Sequence, residues 1–423
     1  MDNDKQPIKK NLLLITNHFP FGVQEPFLRH ELEYLKKYFT LTVVTTDCTS
    51  PLSSGVGHDF PVYRIKIHSN FFVKICFILI SLTKKFVWKE IILIIREKRD
   101  ILAKLQTSLY NVISAISFYH HMKRLKLYNS QDLIYSYWHN YKVLSMGLLL
   151  EKNNLHSIPI VSRIHGYDLF NERVDVGNRQ AFKTEMDSHL SNLFFSSRYG
   201  KNYYETHFGF SKGCNYSVAY LGVEKSDTVT LLNPNFGLSI ISVSNVIPLK
   251  RIDLIIDALG LIKDITVDWV HFGTGSSMDN LKKFAEERLG EMGNISYRFG
   301  GQIRNSDLRE YYKNNNIDVF ITTSSSEGGC PVSVQEAFSF GIPSICSDVG
   351  GLTEMIEDGG SGYLLPKFST PEMIKNILLR MYSQKQTGKL EEMKRKAYKT
   401  WEEQFNAEKN YEFFATELHK IAR

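Results

Sequence analysis

Short apolar runs rich in Ile, Val, Leu and Phe alternate with amphipathic segments along almost the whole chain. Such runs read as strands buried on both faces, the mark of a parallel sheet covered by helices. They predict strands at 11–16, 41–46, 133–137, 158–163 and 193–196 in the first half, and at 239–243, 266–271, 295–299, 319–322 and 344–347 in the second. Between them, PFLRHELEYLKKY, RIDLIIDALGLI and DLREYYKNN space apolar residues three and four apart, as helices with one core-facing stripe require. The alternation predicts an α/β protein with two Rossmann-like, doubly wound domains, each with a ligand crevice at the carboxyl ends of its strands. The polar stretch EKSDTVTLLNPNFG interrupts it. The expected domains are therefore 1–223 and 239–395, with 224–238 as linker. Residues 396–423 read as a helical segment docking back on a domain, because Trp401, Phe405, Tyr411, Phe413 and Phe414 are more aromatic surface than a free tail carries.

Length agrees with two domains, since 423 residues exceed what a single hydrophobic core usually serves. With 43% hydrophobic and 23% charged residues and only 12 prolines, the composition is that of a globular protein. Five scattered cysteines without a C-x-x-C pair fit a reducing compartment and suggest neither zinc nor a redox couple. The apolar run NLLLIT near the N-terminus is too short for a signal-peptide core, so a cytoplasmic protein is expected.

The net charge of +6 is unevenly spread, with 13 Lys or Arg against three acids between Arg64 and Lys126, a local balance of +10. This stretch also contains FFVKICFILISL and KEIILIIREK, each shorter than the roughly 18 apolar residues a spanning helix needs. Two readings stand open for it: core-facing helices with solvated basic faces, or a surface resting on anionic lipid.

The richest chemistry lies in SSSEGGCPVSVQEAFSFGIP, residues 324–343, between a strand and a helix. Pro331 suits the first helical position, where its missing donor costs nothing. Gly328 and Gly329 let backbone approach a ligand, and the N–H groups of the helix start, near Cys330 and Pro331, can receive hydroxyls or phosphate. Glu327 and Glu336 would bracket that ligand. Further strand-end loops carry glycine: HFGTGSS with Gly273 and Gly275, YRFGGQIR before Ile303, DVGGLTE with Gly350 and Gly351, and HFPFGVQE with Gly22. Lys250 and Arg251 lie just before an amphipathic helix, and His165 follows a strand in RIHGYD.

At these residues the chain resembles glycosyltransferase family four, retaining enzymes of the GT-B fold, in which two Rossmann-like domains face across a cleft. The family shows a glutamate pair in E-x7-E; here eight residues separate Glu327 from Glu336, because EGGCP has an extra glycine. The rear part, from Glu336-Ala337 to Gly341-Ile342-Pro343, matches well. In SVSNVIPLKRIDLIIDAL the family's phosphate-binding lysine is Lys250, while Asn245 stands where the family has arginine and Arg251 is a candidate substitute.

The resemblance implies transfer of a hexose-type sugar from a nucleoside-diphosphate donor to a glycan or lipid-linked acceptor, in surface polysaccharide synthesis. Neither an essential metal nor another cofactor is implied. Lys250, with Arg251, would stabilise the departing diphosphate. Glu336 would hold the ribose, Glu327 or the amides after it the sugar, Ile303 the base, and His165 the region of the reacting carbon, with Gly22 and Gly273 shaping the donor loops. A catalytically silent nucleotide-sugar binder or membrane scaffold, or an epimerase of similar fold, is the alternative. No nucleic-acid partner is indicated.

Overall fold

A computed structural model describes residues 7–22, 25, 27–52, 59–67, 71–226 and 237–423. Most of the expected linker, residues 227–236, lies outside them. The chain divides into two compact units, Met1–Ala219 with Tyr411–Arg423, and Tyr220–Asn410.

The N-terminal unit holds strands β1 (Lys10–Thr16), β2 (Phe39–Thr45), β3 (Val62–Arg64), β4 (Leu133–Ser136), β5 (Ile160–Ile164), β6 (Asn192–Phe195) and β7 (Asn215–Val218). They form one parallel sheet in the order β3-β2-β1-β4-β5-β6-β7. Helices cover both faces, so Leu12, Leu13, Leu14 and Ile15 of β1 are all fully buried, which is why the strand reads as an unbroken apolar run.

The C-terminal unit holds β8 (Leu238–Val243), β9 (Val267–Phe272), β10 (Ile295–Gly301), β11 (Val319–Thr322), β12 (Ser344–Ser347) and β13 (Gly362–Leu365). Their order is β10-β9-β8-β11-β12-β13, again parallel. In both sheets the first strand is central and the order reverses beside it, between β1 and β4 and between β8 and β11. A doubly wound sheet opens its ligand crevice at such a reversal.

All ten predicted strands form, shifted by no more than two residues at either end. The short strands β3, β7 and β13 are additional. One boundary is corrected: the helix after β11 is Val332–Ser339, and Pro331 caps it instead of occupying its first turn.

The terminal segment is divided between the units. Trp401 is buried in the C-terminal unit, where its indole N–H donates to the Val223 carbonyl at 3.1 Å. Beyond Asn410 the helix Ala407–Ile421 belongs to the N-terminal unit, and Phe414 packs edge-on against Tyr135 and Phe194. Of the five aromatics singled out in this segment, Phe413 alone stays exposed, at 54%.

Candidate active site

The crevice end of the C-terminal sheet is built by loops that lean on one another. After β8 the chain makes one helical turn, Pro248–Lys250; Arg251 then takes a left-handed conformation (φ 48) and caps the helix Ile252–Gly260. The loop after β11 is tied to this turn. Ser325 N–H donates to the Leu249 carbonyl at 2.9 Å, and the Thr323 hydroxyl donates to the Arg251 carbonyl at 2.7 Å. These bonds bring Lys250 and Glu327 together, and the ammonium donates to the carboxylate in a largely buried ion pair. Residues 77 positions apart in sequence thus meet at the sheet's reversal point.

Glycine makes the neighbouring loops fit. A Cβ on Gly350 (φ +57) would fall 1.6 Å from the Glu327 carbonyl oxygen, and one on Gly273 (φ +140) 1.9 Å from that of Ser244. No side chain fits at either place. The loops after β9 and β12 are therefore held against the Asn245 and Glu327 loops by backbone contact. Cys330 is buried with its thiol 3.5 Å from the Gly351 carbonyl. Gln335 reaches back to the Cys330 carbonyl at 3.0 Å and stiffens the loop that contains Gly328 and Gly329.

Glu336, in the helix Val332–Ser339, is buried and accepts a hydrogen bond from Asn305. The two glutamates therefore have different protein partners, Lys250 and Asn305. Asn245 is exposed at its loop, Arg251 is partly exposed with its guanidinium 3.4 Å from Asp253, and Ile303 is half-buried.

In the N-terminal unit the corresponding strand ends gather a second group. Glu25 is buried and its carboxylate accepts three backbone N–H groups of the loop after β1, from Asn17 (3.0 Å), His18 (2.8 Å) and Phe19 (2.5 Å), as well as the Trp138 indole N–H. Lys142 is buried too, and donates to the Thr16 carbonyl at 2.9 Å and to the Asn17 side chain. Burial pushes the Lys142 amine down to about 7, against the pull of Glu25. A neutral amine has two N–H donors, enough for these two acceptors. Gly22 (φ +65) closes the loop by donating to the Pro51 carbonyl at 3.0 Å.

His165 is less open than its position at a strand end suggests. Its ring lies 4.7 Å from Tyr137 and 4.9 Å from Trp138, and its Nε2 is buried without a hydrogen-bond partner. Burial and the nearby Arg163 charge push the imidazole down to about 3, so it is neutral near pH 7 and can offer no cation. Asp168 holds it in place, accepting the His165 backbone N–H at 2.7 Å and that of His139 at 2.7 Å. Burial raises the Asp168 carboxyl to about 6, although Lys183 and these N–H groups oppose the shift.

Glu25, Trp138, Lys142, Asp168 and Asn305 escaped the reading of the sequence. Glu25 ends the loop HFPFGVQE and Asp168 ends RIHGYD, three residues after His165 as a capping box requires, so both were within reach of it; the others carry no local signal. Among the described residues no group of three or more His, Cys, Asp or Glu side chains is arranged to hold a metal ion.

Residues 232–400 match the family described as glycosyl transferases group 1. A glycosyltransferase of Methanocaldococcus jannaschii, named as uncharacterised, is 28% identical over 259 residues, which are 61% of this chain and 67% of that protein. Among solved structures, the Anabaena protein HepE in complex with UDP and glucose superposes with a TM-score of 0.66 at 17% identity, over 97% of this chain and 99% of that one. The apo form of a lipopolysaccharide outer core galactosyltransferase gives a TM-score of 0.68 at 15% identity, over 97% and 99%. These likenesses establish the GT-B fold. Residues 232–400 thus carry the likeness to glycosyl transferases group 1, within a chain built from two Rossmann-like domains.

Proposed function

We propose that this chain is a glycosyltransferase of family four and transfers a hexose-type sugar, with retention, from a nucleoside-diphosphate sugar to a glycan or lipid-linked glycan acceptor. The observation that carries the reading is the Lys250–Glu327 pair at the reversal point of the C-terminal sheet, within loops whose glycines let backbone pack directly on backbone. A departing diphosphate needs a positioned cation in a partly dry site, and Lys250 is one, kept in place by Glu327 until a donor competes for it. The HepE structure with UDP and glucose supports such a donor by analogy of fold.

In the proposed reaction the bond from the sugar's anomeric carbon to the diphosphate oxygen breaks, and the acceptor oxygen bonds to that carbon on the same face. The acceptor proton passes to the departing phosphate. Lys250 stabilises the charge that develops, with Arg251 at the edge of the site. Glu336, fixed by Asn305, would receive the ribose hydroxyls; Glu327 and the amides of Gly328 to Cys330 would hold the sugar. Neutral His165 would contact the sugar as a hydrogen-bonding group, and no metal takes part. A role in surface polysaccharide synthesis in the cytoplasm agrees with the lipopolysaccharide galactosyltransferase among the structural neighbours.

A thermal-shift panel of UDP-, GDP- and other nucleotide sugars tests this, because a ligand at 100 times its Kd stabilises the fold by about 2.7 kcal/mol. One donor should raise the melting temperature and be consumed when acceptor extract is added. No shift with any donor, binding without transfer, or epimerisation of the donor would overturn the proposal.

A further inference from the structure

The helix Phe71–Leu82 wears its apolar stripe on the outside. Phe72, Ile75, Cys76, Leu79 and Ile80 follow the i, i+3, i+4, i+7, i+8 spacing that ordinarily aims a stripe at a core, yet all are exposed, Phe72 at 77% and Leu79 at 61%. Phe77, on the opposite side, packs on the core. The next helix, Lys85–Glu97, continues the surface with Trp88, Ile92 and Ile95, each about half exposed. Scattered single apolar residues on a surface need no explanation, but a contiguous patch marks an interaction site.

The charges around this patch have one sign. Lys74, Lys84, Lys85, Lys89, Arg96 and Lys98 are exposed. The two acids of the second helix are turned to other partners, Glu90 to Arg179 and Glu97 to Arg179 and Lys104. The outward face is therefore both apolar and positive. A second copy of the chain docking through a two-fold axis would set these cations against themselves. At 12 and 13 residues the helices are too short to span a bilayer, and no helix among the described residues is long and apolar enough to cross one. They suit the plane of its interface, where apolar side chains enter the acyl boundary and Lys and Arg reach the lipid phosphates. Trp88 stands at the corner between the helices, its indole N–H fixed to the Leu82 carbonyl at 2.8 Å.

We propose that the hairpin of helices Phe71–Leu82 and Lys85–Glu97 seats the protein on an anionic membrane surface, with Phe72, Ile75, Leu79 and Trp88 entering the interface and Lys84, Lys85, Lys89 and Arg96 contacting lipid phosphates. The proposal goes beyond the transferase reading, and its test uses neither donor nor acceptor. The full chain is sedimented with phosphatidylcholine vesicles with and without phosphatidylglycerol. Binding should rise with the anionic lipid and fall at high salt. Trp88 emission should shift to the blue and be quenched by brominated acyl chains, a signal absent from Trp88→Phe.

Changing Lys84, Lys85 and Lys89 to Glu should weaken binding by about tenfold or more, whereas changing them to Arg should preserve it. Phe72→Ser with Leu79→Ser should weaken binding without lowering the melting temperature, because both side chains are already exposed. Equal sedimentation with both kinds of vesicle, or none with either, would overturn the proposal. So would a lipid-free dimer that Leu79→Glu converts to monomer, which would assign the face to a second copy.

Discussion

Lys250 and Glu327 form a pair whose members answer for each other. Lys250→Ala should lower kcat/KM by about 2–3 kcal/mol, the scale of one charged hydrogen bond in a partly dry site. Because the two side chains share one ion pair, their losses should not add: the double variant with Glu327→Ala should fall short of the sum by at least about 1 kcal/mol. Steady-state kinetics of the four proteins decides, and strict additivity would mean that the pair does not act as a unit. Lys142 makes a separate prediction. Its folded-state value near 7 lies below the ordinary lysine value of 10.5, so between the two the unfolded chain binds the extra proton and stability rises with pH. Below about 7 the cost of the buried charge is felt in full. The urea midpoint of the natural protein, measured against Lys142→Met, should therefore climb from pH 7 towards 10.5; a difference independent of pH would show an unperturbed amine.

At the scale of elements, the glycine loops do different work and can be told apart. Gly350 and Gly359 both have positive φ, 57 and 74, but a Cβ on Gly359 meets nothing within 4 Å whereas one on Gly350 strikes the Glu327 carbonyl. Gly359→Ala should cost only the conformational penalty, about 1–2 kcal/mol of stability. Gly350→Ala should cost more, and should also weaken donor binding by displacing the Glu327 loop. Equal melting temperatures and equal donor affinity for the two variants would show that the contact is unimportant. The strands taught a related lesson. Most strands buried on both faces were legible, although the four-residue β13, GYLL, was not; β3 is three partly or fully exposed residues and β7, NYSV, is a polar edge, so neither carries an apolar run. Shortness and polarity hid them, since the edge strand β10, with alternating buried and exposed residues, was legible.

The whole molecule is two units that share the chain unequally, since the last residues, from Tyr411, return to the first unit. Phe414 is fully buried there, with the Arg163 guanidinium stacked 3.9 Å from its ring, and Arg163 is paired with Glu31. Phe414→Ala should cost about 3–5 kcal/mol. Calorimetry should show the loss in the transition of the N-terminal unit alone, with the donor-induced shift of the other unit preserved; one merged transition losing both would contradict this division. For the enzyme as a whole, EDTA should leave transfer intact. Complete loss of activity restored by manganese would overturn the metal-free mechanism.

Ten of the thirteen described strands, the two-unit plan, the loops bearing Lys250, Glu327, Gly273 and Gly350 and the helix bearing Glu336 were readable along the chain, because periodicity and glycine placement are local properties. What the residues touch was not. Glu25 and Trp138 are 113 positions apart, Lys142 and Asn17 are 125, and Asn305 and Glu336 are 31, and no local pattern announces a partner at such distances. The basic stretch shows the boundary most clearly. Its run FFVKICFILISL is apolar at every position except Lys74 and Ser81, so the sequence alone does not say which side of the helix faces a core and which the outside. Only the packing of the opposite side, with Phe77 on the core, decided that the side bearing Phe72, Ile75, Leu79 and Ile80 points away from the protein.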